Sequence, residues 1–223
     1  MDEENLKKKG DAVASPFEFT KLLVFLSSVQ YNAGGKGVYR MKKPHLIVIT
    51  GRPGAGKTTL AETLSRAWYL PLISRDRIKE GMVHTAGVSH EAMGPDANLA
   101  ATEAFFDTLG FLLDRGVSVA AEAAFQHPVW EKFLRPLAEK ADITVLLCDV
   151  NGQTALDRFL ARGLADEKRL YFHGDKGVHM AKNGAQPVVG SYNAPHLPYR
   201  TITVHTENGY EPDLEALYTA VFG

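Results

Sequence analysis

The chain has 223 residues, of which 45% are hydrophobic and 23% charged, and its formal net charge is −1. This composition is typical of a soluble globular protein, and the length fits one α/β domain with additions. A net charge near zero gives the surface as a whole no general attraction for nucleic acid or an anionic membrane. Cys148 is the only cysteine, and the apolar runs are shorter than the roughly 18 residues of a membrane-spanning helix, so we expect a cytoplasmic protein without membrane association.

The first 43 residues differ in character from the rest of the chain. A polar, charged start is followed by a short apolar stretch, an order that also occurs in signal peptides. Glu18 and Lys21 interrupt the apolar stretch, which argues against a signal peptide. We therefore predict a poorly ordered or partly helical extension over residues 1–43, with a short helix from about Pro16 to Val29. Met41, directly before the first predicted strand, is an alternative start of the chain.

The most informative stretch follows the predicted strand His45–Thr50, whose residues are mostly β-branched or apolar. The next eight residues match G-x-x-x-x-G-K-[ST], the phosphate-binding loop, in which glycines let the backbone N–H groups approach phosphate oxygens. Lys57 would supply a positive charge to the phosphates, and the Thr58 hydroxyl would bind Mg²⁺. A helix predicted over Thr58–Tyr69 directs its N-terminus at the same phosphates. We predict that nucleotide binding involves Gly51, Arg52, Pro53, Gly54, Ala55, Gly56, Lys57, Thr58 and Thr59.

A second strand is predicted over Leu70–Ser74, and Asp76 follows it. Ligands of doubly wound sheets gather at the carboxyl ends of the strands, so Asp76 would stand near the γ-phosphate of a nucleotide. A carboxylate at that place can accept or orient the proton of an attacking hydroxyl, as phosphoryl transfer requires. The position also suits a helix N-cap, and the two roles are compatible.

A second acidic candidate, Glu122, ends the next predicted strand, Val117–Glu122. This strand follows an irregular insertion over residues 80–95 and a helix over Asp96–Arg115. Nucleotide hydrolases and kinases with this loop place an acid at such a strand end to hold Mg²⁺, directly or through water. The alternative is an exposed acid at a strand terminus. Gln126, where the following helix opens, is a candidate for facing the acceptor.

Two arginines lie on the helix predicted over Asn151–Gly163. Arg158 and Arg162 are four residues apart, so they share one helix face. Paired arginines can close over the transferring phosphate and neutralise charge in the transition state. The alternative is a solvated face on which Asp157 and Asp166 are their partners.

The remaining elements complete an α/β pattern. A buried strand over Asp142–Cys148 precedes the arginine-bearing helix. Residues 171–198 show no clean period and are expected to form a mobile loop that leads to a last strand over Tyr199–Val204. A terminal helix is predicted over Pro212–Val221.

Taken together, these segments resemble the P-loop kinases of small molecules and nucleic-acid ends, which carry AAA-type ATP-binding kinase domains. Chloramphenicol phosphotransferase, the kinase domain of polynucleotide kinase, gluconate kinase and the zeta-toxin kinases share this plan. The resemblance covers about residues 44–223 and implies a three-layer α/β P-loop NTPase fold, with a mostly parallel five-stranded sheet and a helical lid over about residues 152–185. It rests on Gly51–Thr58, Ser74–Lys79, Glu122, the helix with Arg158 and Arg162, and the turn Val204–Tyr210.

The resemblance also implies roles for individual residues. Asp76 would be the general base, and the turn over residues 205–210 would flank adenine. The predicted catalytic residues are Lys57, Asp76, Arg158 and Arg162; the predicted acceptor-binding residues are Arg75, Lys79, Glu122 and Gln126; and the predicted metal ligands are Thr58 and Glu122.

The sequence therefore predicts an enzyme that uses ATP and Mg²⁺ to phosphorylate a hydroxyl group of a small molecule, such as a nucleoside, a sugar or an antibiotic. A polynucleotide acceptor is less favoured, because it would want basic and aromatic residues along a groove, and Arg75, Arg77 and Lys79 give only a short cluster. A regulatory ATPase without a hydroxyl acceptor is the alternative from another class.

Overall fold

The computed structural model describes residues 29–31, 37–39 and 42–223, and the chain divides into two units, 1–42 and 43–223. In the first unit, strands β1 (Val29–Tyr31) and β2 (Gly37–Tyr39) pair antiparallel. The helix predicted from Pro16 lies outside the described residues except for Val29, which begins β1. The predicted character of the extension over residues 1–43 stays a prediction.

A five-stranded sheet forms the centre of the second unit, in the order β4-β5-β3-β6-β7. All four neighbouring pairs are parallel, which confirms the predicted α/β fold with a parallel five-stranded sheet. The strands are β3 (His45–Gly51), β4 (Leu72–Ser74), β5 (Val119–Glu122), β6 (Asp142–Asp149) and β7 (Arg200–His205).

Eight helices connect and cover these strands in the described part of the second unit. None of them is both long and apolar enough to cross a membrane. The segment predicted to form the lid contains three of them, the fifth to the seventh. In chain order the helices are α1 (Lys57–Trp68), α2 (Arg75–Ala86), α3 (Ala97–Asp114), α4 (His127–Leu137), α5 (Gly152–Ala165), α6 (Arg169–His173), α7 (Lys176–Lys182) and α8 (Leu214–Phe222).

The sheet is the middle of three layers because successive side chains of a strand point to opposite faces. In β3, Ile47 and Ile49 join a buried cluster with α1 and α8. Leu46 and Val48 join a second buried cluster with α3 and α4, where Trp130 is fully enclosed. The near-continuous apolar character of β3 follows from this burial on both faces.

Two expectations about loops were wrong. Residues 80–95 do not form a single irregular insertion, because α2 continues to Ala86 and ends at Gly87, whose φ of 69° suits a glycine. Residues 171–198 contain α7, which packs so closely on α5 that a Cβ on Gly163 would lie 2.3 Å from Val178 Cγ2. Both helices are short of apolar residues at regular spacing, and tertiary contacts stabilise them instead.

Candidate active site

A cleft of about 490 Å³ opens at the carboxyl ends of the parallel strands, where ligands of such sheets bind. Three connections meet there: the loop from β3 to α1, the junction of β4 with α2, and the end of β5. Helices α5 and α6 form the opposite wall. The cleft is lined by Pro53, Gly54, Gly56, Lys57, Thr58, Thr59, Ser74, Asp76, Arg77, Glu80, Glu122, Ala124, Phe159, Arg162, Asp166, Lys168, Arg169, Phe172, His173 and Asp175.

The loop between β3 and α1 has no room for side chains at two of its glycines. Gly51 and Gly54 have φ values of 148° and 82°, which L-residues rarely adopt. A Cβ on Gly54 would lie 1.9 Å from the Ala155 carbonyl oxygen of α5, and one on Gly51 would lie 2.5 Å from the Cys148 carbonyl oxygen. Gly56 is the N-cap residue of α1, so the free N–H groups of this helix begin at the loop. The loop is therefore shaped as an anion cradle.

Lys57 is 7% exposed, and its Nζ donates to the Arg52 carbonyl oxygen at 2.9 Å. Burial lowers the pKa of Lys57 from its ordinary value, although Glu122 nearby favours the charged form. An ammonium group has three donors, so the bond to Arg52 leaves Lys57 able to bind further oxygens in the cleft. This arrangement fits a phosphate-binding lysine.

Glu122 is 4% exposed, so the alternative of an exposed strand-end acid is wrong. Its Oε2 accepts a hydrogen bond from Ser74 Oγ at 2.7 Å, and its Oε1 accepts one from Thr58 Oγ1 at 3.5 Å. Burial raises the pKa of Glu122, while Lys57 opposes this shift.

The Thr58 hydroxyl and the Glu122 carboxylate present oxygen atoms of the type that Mg²⁺ prefers. Among residues 42–223 and the two short strands before them, no three or more His, Cys, Asp and Glu side chains cluster as they would around a metal held by protein ligands alone. Mg²⁺ commonly binds through one or two protein oxygens together with phosphates and water, so the two groups present fit that mode.

Asp76 is the second residue of α2 and lines the cleft, with 52% of its side chain exposed. Ser74 is the N-cap residue of α2, so the interpretation of Asp76 as an N-cap was wrong. Burial opposes ionisation of Asp76, but Lys79, His173 and Arg75 outweigh it and hold the pKa of this carboxyl below its ordinary value. Asp76 is thus an ionised carboxylate at neutral pH.

Three of the predicted acceptor-binding residues do not line the cleft. Arg75 donates to the carbonyl and side-chain oxygens of Asn98, at 3.1 and 2.7 Å. Lys79 is 6% exposed, and its Nζ donates to the His173 carbonyl oxygen at 3.5 Å. Gln126 is exposed and is the N-cap residue of α4. Their acceptor-binding role stays a prediction, whereas Glu122 lines the cleft as described above.

The two arginines of α5 have different surroundings. Arg162 lines the cleft, and its pKa is lowered by burial and by Arg169. Arg158 is not among the described cleft-lining residues; it donates to the carbonyl oxygens of Thr206 and Glu207, at 3.1 and 3.0 Å. These two carbonyls belong to the turn that was predicted to flank adenine.

Several cleft residues were not singled out from the sequence. His173 Nε2 lies 2.9 Å from Glu80 Oε1, and Arg169 Nε lies 2.8 Å from Asp175 Oδ2. Glu80 follows Asp76 by four residues on α2, so both lie on one helix face, whereas the sequence predicted an irregular insertion from residue 80 onward. His173 lies in a five-residue helix, which is too short to leave a periodic signal.

Comparison with known proteins agrees with this geometry. The chain matches the family model described as AAA domain over residues 46–182, more than half of its length. No curated protein matches the sequence significantly. A provisionally named kinase from Chloroflexus aurantiacus J-10-fl has 23% identity and a TM-score of 0.65, with 81% of this chain and 97% of that chain covered.

A sugar kinase from Janibacter sp. HTCC2649 has 14% identity and a TM-score of 0.51, with 81% of this chain and 96% of that chain covered. At such identities these structures establish the shared fold and no more. The family match includes the nucleotide-binding loop, Asp76, Glu122 and the arginine-bearing helix. The chain belongs to the AAA domain family of P-loop nucleotide-binding proteins.

Proposed function

We propose that this protein is an ATP-dependent phosphotransferase that phosphorylates a hydroxyl group of a small molecule. One observation carries the proposal: the ionised carboxylate of Asp76 lines the same cleft as Lys57 and Glu122. A nucleotide-binding loop alone indicates only that phosphates are held. A carboxylate in the same cleft, outside the loop and not bonded to Thr58 or Ser74 as Glu122 is, adds a group that can handle the proton of an attacking hydroxyl.

The phosphates would be held by the backbone N–H groups of the loop and by Lys57. Thr58 and Glu122 would hold Mg²⁺, directly or through water. When bound, Mg²⁺·ATP supplies the γ-phosphoryl group and lowers the charge repulsion that an attacking oxygen meets.

Asp76 orients the acceptor hydroxyl and accepts its proton at a carboxylate oxygen. Its low pKa makes it a weak base, which suits a loose transition state in which the proton leaves late. Lys57 and Arg162 stabilise the negative charge on the oxygens of the migrating group, because both cations line the same space.

The lining of the cleft supports a small, polar acceptor. Five acidic and five basic side chains line it, and Arg77–Glu80 and Arg169–Asp175 are ion pairs, at 3.1 and 2.8 Å. Polyanions bind to grooves with an excess of unpaired cations, which this lining does not provide. A sugar, a nucleoside or a hydroxylated antibiotic is therefore favoured over a polynucleotide end.

The experiment that tests the proposal measures γ-phosphate transfer from radiolabelled ATP to a panel of sugars, nucleosides, aminoglycosides and 5′-hydroxyl oligonucleotides. We expect one small-molecule class to be labelled, with Asp76→Asn lowering kcat by about 10²–10⁴ while the affinity for ATP is kept. ATP hydrolysis that needs no acceptor and survives in Asp76→Asn would contradict the proposal. Lys57→Ala is the control, because it should remove both phosphate transfer to an acceptor and ATP hydrolysis without one.

A further inference from the structure

Ser74 occupies two structural positions at once. It is the last residue of β4, where it is the register partner of Glu122 in β5, and it is the N-cap residue of α2. Register partners in a sheet project to the same face, so the hydroxyl of Ser74 and the carboxylate of Glu122 meet directly. Ser74 is 7% exposed and lines the cleft.

The hydroxyl of Ser74 does not do what serine usually does at this position. N-cap serines commonly accept a hydrogen bond from a backbone N–H group of the first helical turn. In α2 no such side-chain bond is formed, and Ser74 Oγ donates to Glu122 Oε2 at 2.7 Å instead. The helix start is thus left without its side-chain cap in favour of a bond to a buried carboxylate.

The bond determines which carboxylate oxygen is left for other partners. Ser74 takes Oε2 of Glu122, and Oε1 points to the Thr58 hydroxyl at 3.5 Å. That hydroxyl can donate its proton to Oε1 while its oxygen keeps lone pairs for a cation. Glutamate has one more rotatable bond than aspartate, so an oriented carboxylate needs a second anchor to keep one geometry.

We propose that Ser74 is a positioning residue for the magnesium site: its hydroxyl holds Glu122 so that the other carboxylate oxygen faces the cation held by Thr58. The inference rests on the proposed binding of Mg²⁺·ATP, but it does not depend on the acceptor. Ser74 is also the N-cap residue of α2, the helix that carries Asp76. The same residue therefore fixes Glu122 and the first turn of α2 relative to each other.

The test measures nucleotide binding and needs no turnover. The Kd of the non-hydrolysable analogue AMP-PNP is determined by calorimetry in EDTA and across a MgCl₂ titration. Replacement of residues that orient metal ligands typically weakens metal binding 10–100-fold. We expect Ser74→Ala to raise the MgCl₂ concentration for half-maximal enhancement of AMP-PNP affinity about tenfold and to leave the Kd in EDTA within about twofold.

Three further variants separate positioning from general damage. Ser74→Cys has a similar volume but a thiol that donates only weakly, so it should behave like Ser74→Ala. Ser74→Thr keeps a hydroxyl and should therefore give the wild-type MgCl₂ titration. Ser118→Ala is the matched control, because Ser118 Oγ also accepts a bond from a neighbouring strand, from the His45 N–H at 2.9 Å. Ser118 directly precedes β5, at the opposite end of this strand from Glu122. Should Ser74→Ala fail to fold, Ser74→Cys carries the test.

Unchanged Mg²⁺ dependence in folded Ser74→Ala or Ser74→Cys would overturn the inference. So would an equal loss of affinity with and without Mg²⁺, or a Ser74→Thr variant that behaves like Ser74→Ala. If the Kd of AMP-PNP for the wild-type protein is the same with and without Mg²⁺, both the proposed function and this inference are overturned. Normal Mg²⁺ coupling without any phosphorylated acceptor would count against the proposed function alone.

Discussion

Arg158 and Arg162 lie one helical turn apart on α5, yet only Arg162 lines the cleft, while Arg158 donates to the carbonyl oxygens of Thr206 and Glu207. Equal spacing on a helix therefore does not give equal roles here. One guanidinium group faces the space where phosphate would lie, and the other ties α5 to the turn after β7.

This difference predicts different effects of two otherwise identical substitutions. Arg162→Ala should lower kcat by about 10²–10³, because a cation at the migrating group is lost. Arg158→Ala should leave kcat within about tenfold and lower the free energy of unfolding by about 1–2 kcal/mol, through the loss of two bonds to carbonyls. Steady-state kinetics and urea unfolding of the two variants measure both effects, and each variant is the other's control. A larger loss of kcat in Arg158→Ala would return it to the catalytic group.

Gly54 is expected to tolerate no side chain. A Cβ there would approach the Ala155 carbonyl oxygen to 1.9 Å, and its φ of 82° is costly for other residues. Gly54→Ala should weaken AMP-PNP binding by more than about tenfold, since the loop must shift away from α5. Gly190→Ala is the matched control, because a Cβ at Gly190 meets nothing within 4 Å. Equal AMP-PNP affinities for the two variants would show that the loop can adapt.

His173 predicts a pH dependence of stability. Burial, and then Arg169, lower the pKa of His173 from its ordinary value of 6.5, while Asp76, Lys79, Asp175 and Glu80 are the other charged groups around it. The unfolded chain therefore binds a proton at a higher pH than the folded protein, so stability rises with pH and is lost as pH falls below about 6.5.

His173→Gln should flatten this dependence. The fall in Tm between pH 7.5 and pH 5.5 should be smaller in the variant than in the wild type, as followed by circular dichroism. His84→Gln provides the control. His84 is exposed on α2 and also contacts α6, with its ring centroid 4.8 Å from that of Phe172. Parallel Tm curves for wild type and His173→Gln would contradict the assignment.

Any loss of activity as the pH falls slightly below neutral should not arise from protonation of Asp76. The pKa of this carboxyl is held below its ordinary value of 3.8, so Asp76 remains ionised down to distinctly acidic pH. We therefore expect protonation of Asp76 to cause no change in kcat/KM between pH 5 and pH 8. A pH profile of the wild type measures this, and an Asp76→Glu variant whose profile moves upward in pH would support the assignment.

Much of the fold could be predicted because its signals are local. The β3 run, the glycine-bearing loop and the apolar helices α1 and α3 follow from residue pattern and are confirmed. Helix α2 was not predicted, because beyond Lys79 it has one buried residue, Val83, and a cap at Gly87, which leave no clear apolar period.

The lining of the cleft was predictable where one motif or strand end places a residue there, as for Lys57, Thr58, Asp76 and Glu122. On the opposite wall Arg162 was predicted, but His173 and Arg169 were not, because they belong to one five-residue helix with no periodic pattern. The partner of Glu122 also escaped prediction. The contact of Ser74 with Glu122 depends on the register of β4 on β5, which no local sequence pattern encodes.

The backbone contact between Gly54 and Ala155 also limits how the cleft can widen. The first turn of α5 lies against the loop, and Gly163 of the same helix packs on Val178 of α7, so this end of the wall is held on both sides. At the other end, α6 is held to α2 by the His173–Glu80 pair, by the bond from Lys79 to the His173 carbonyl oxygen and by the contact of the Phe172 and His84 rings. These contacts are made by side chains, whereas Gly54 meets backbone, so any widening of the cleft is expected on the side of α6.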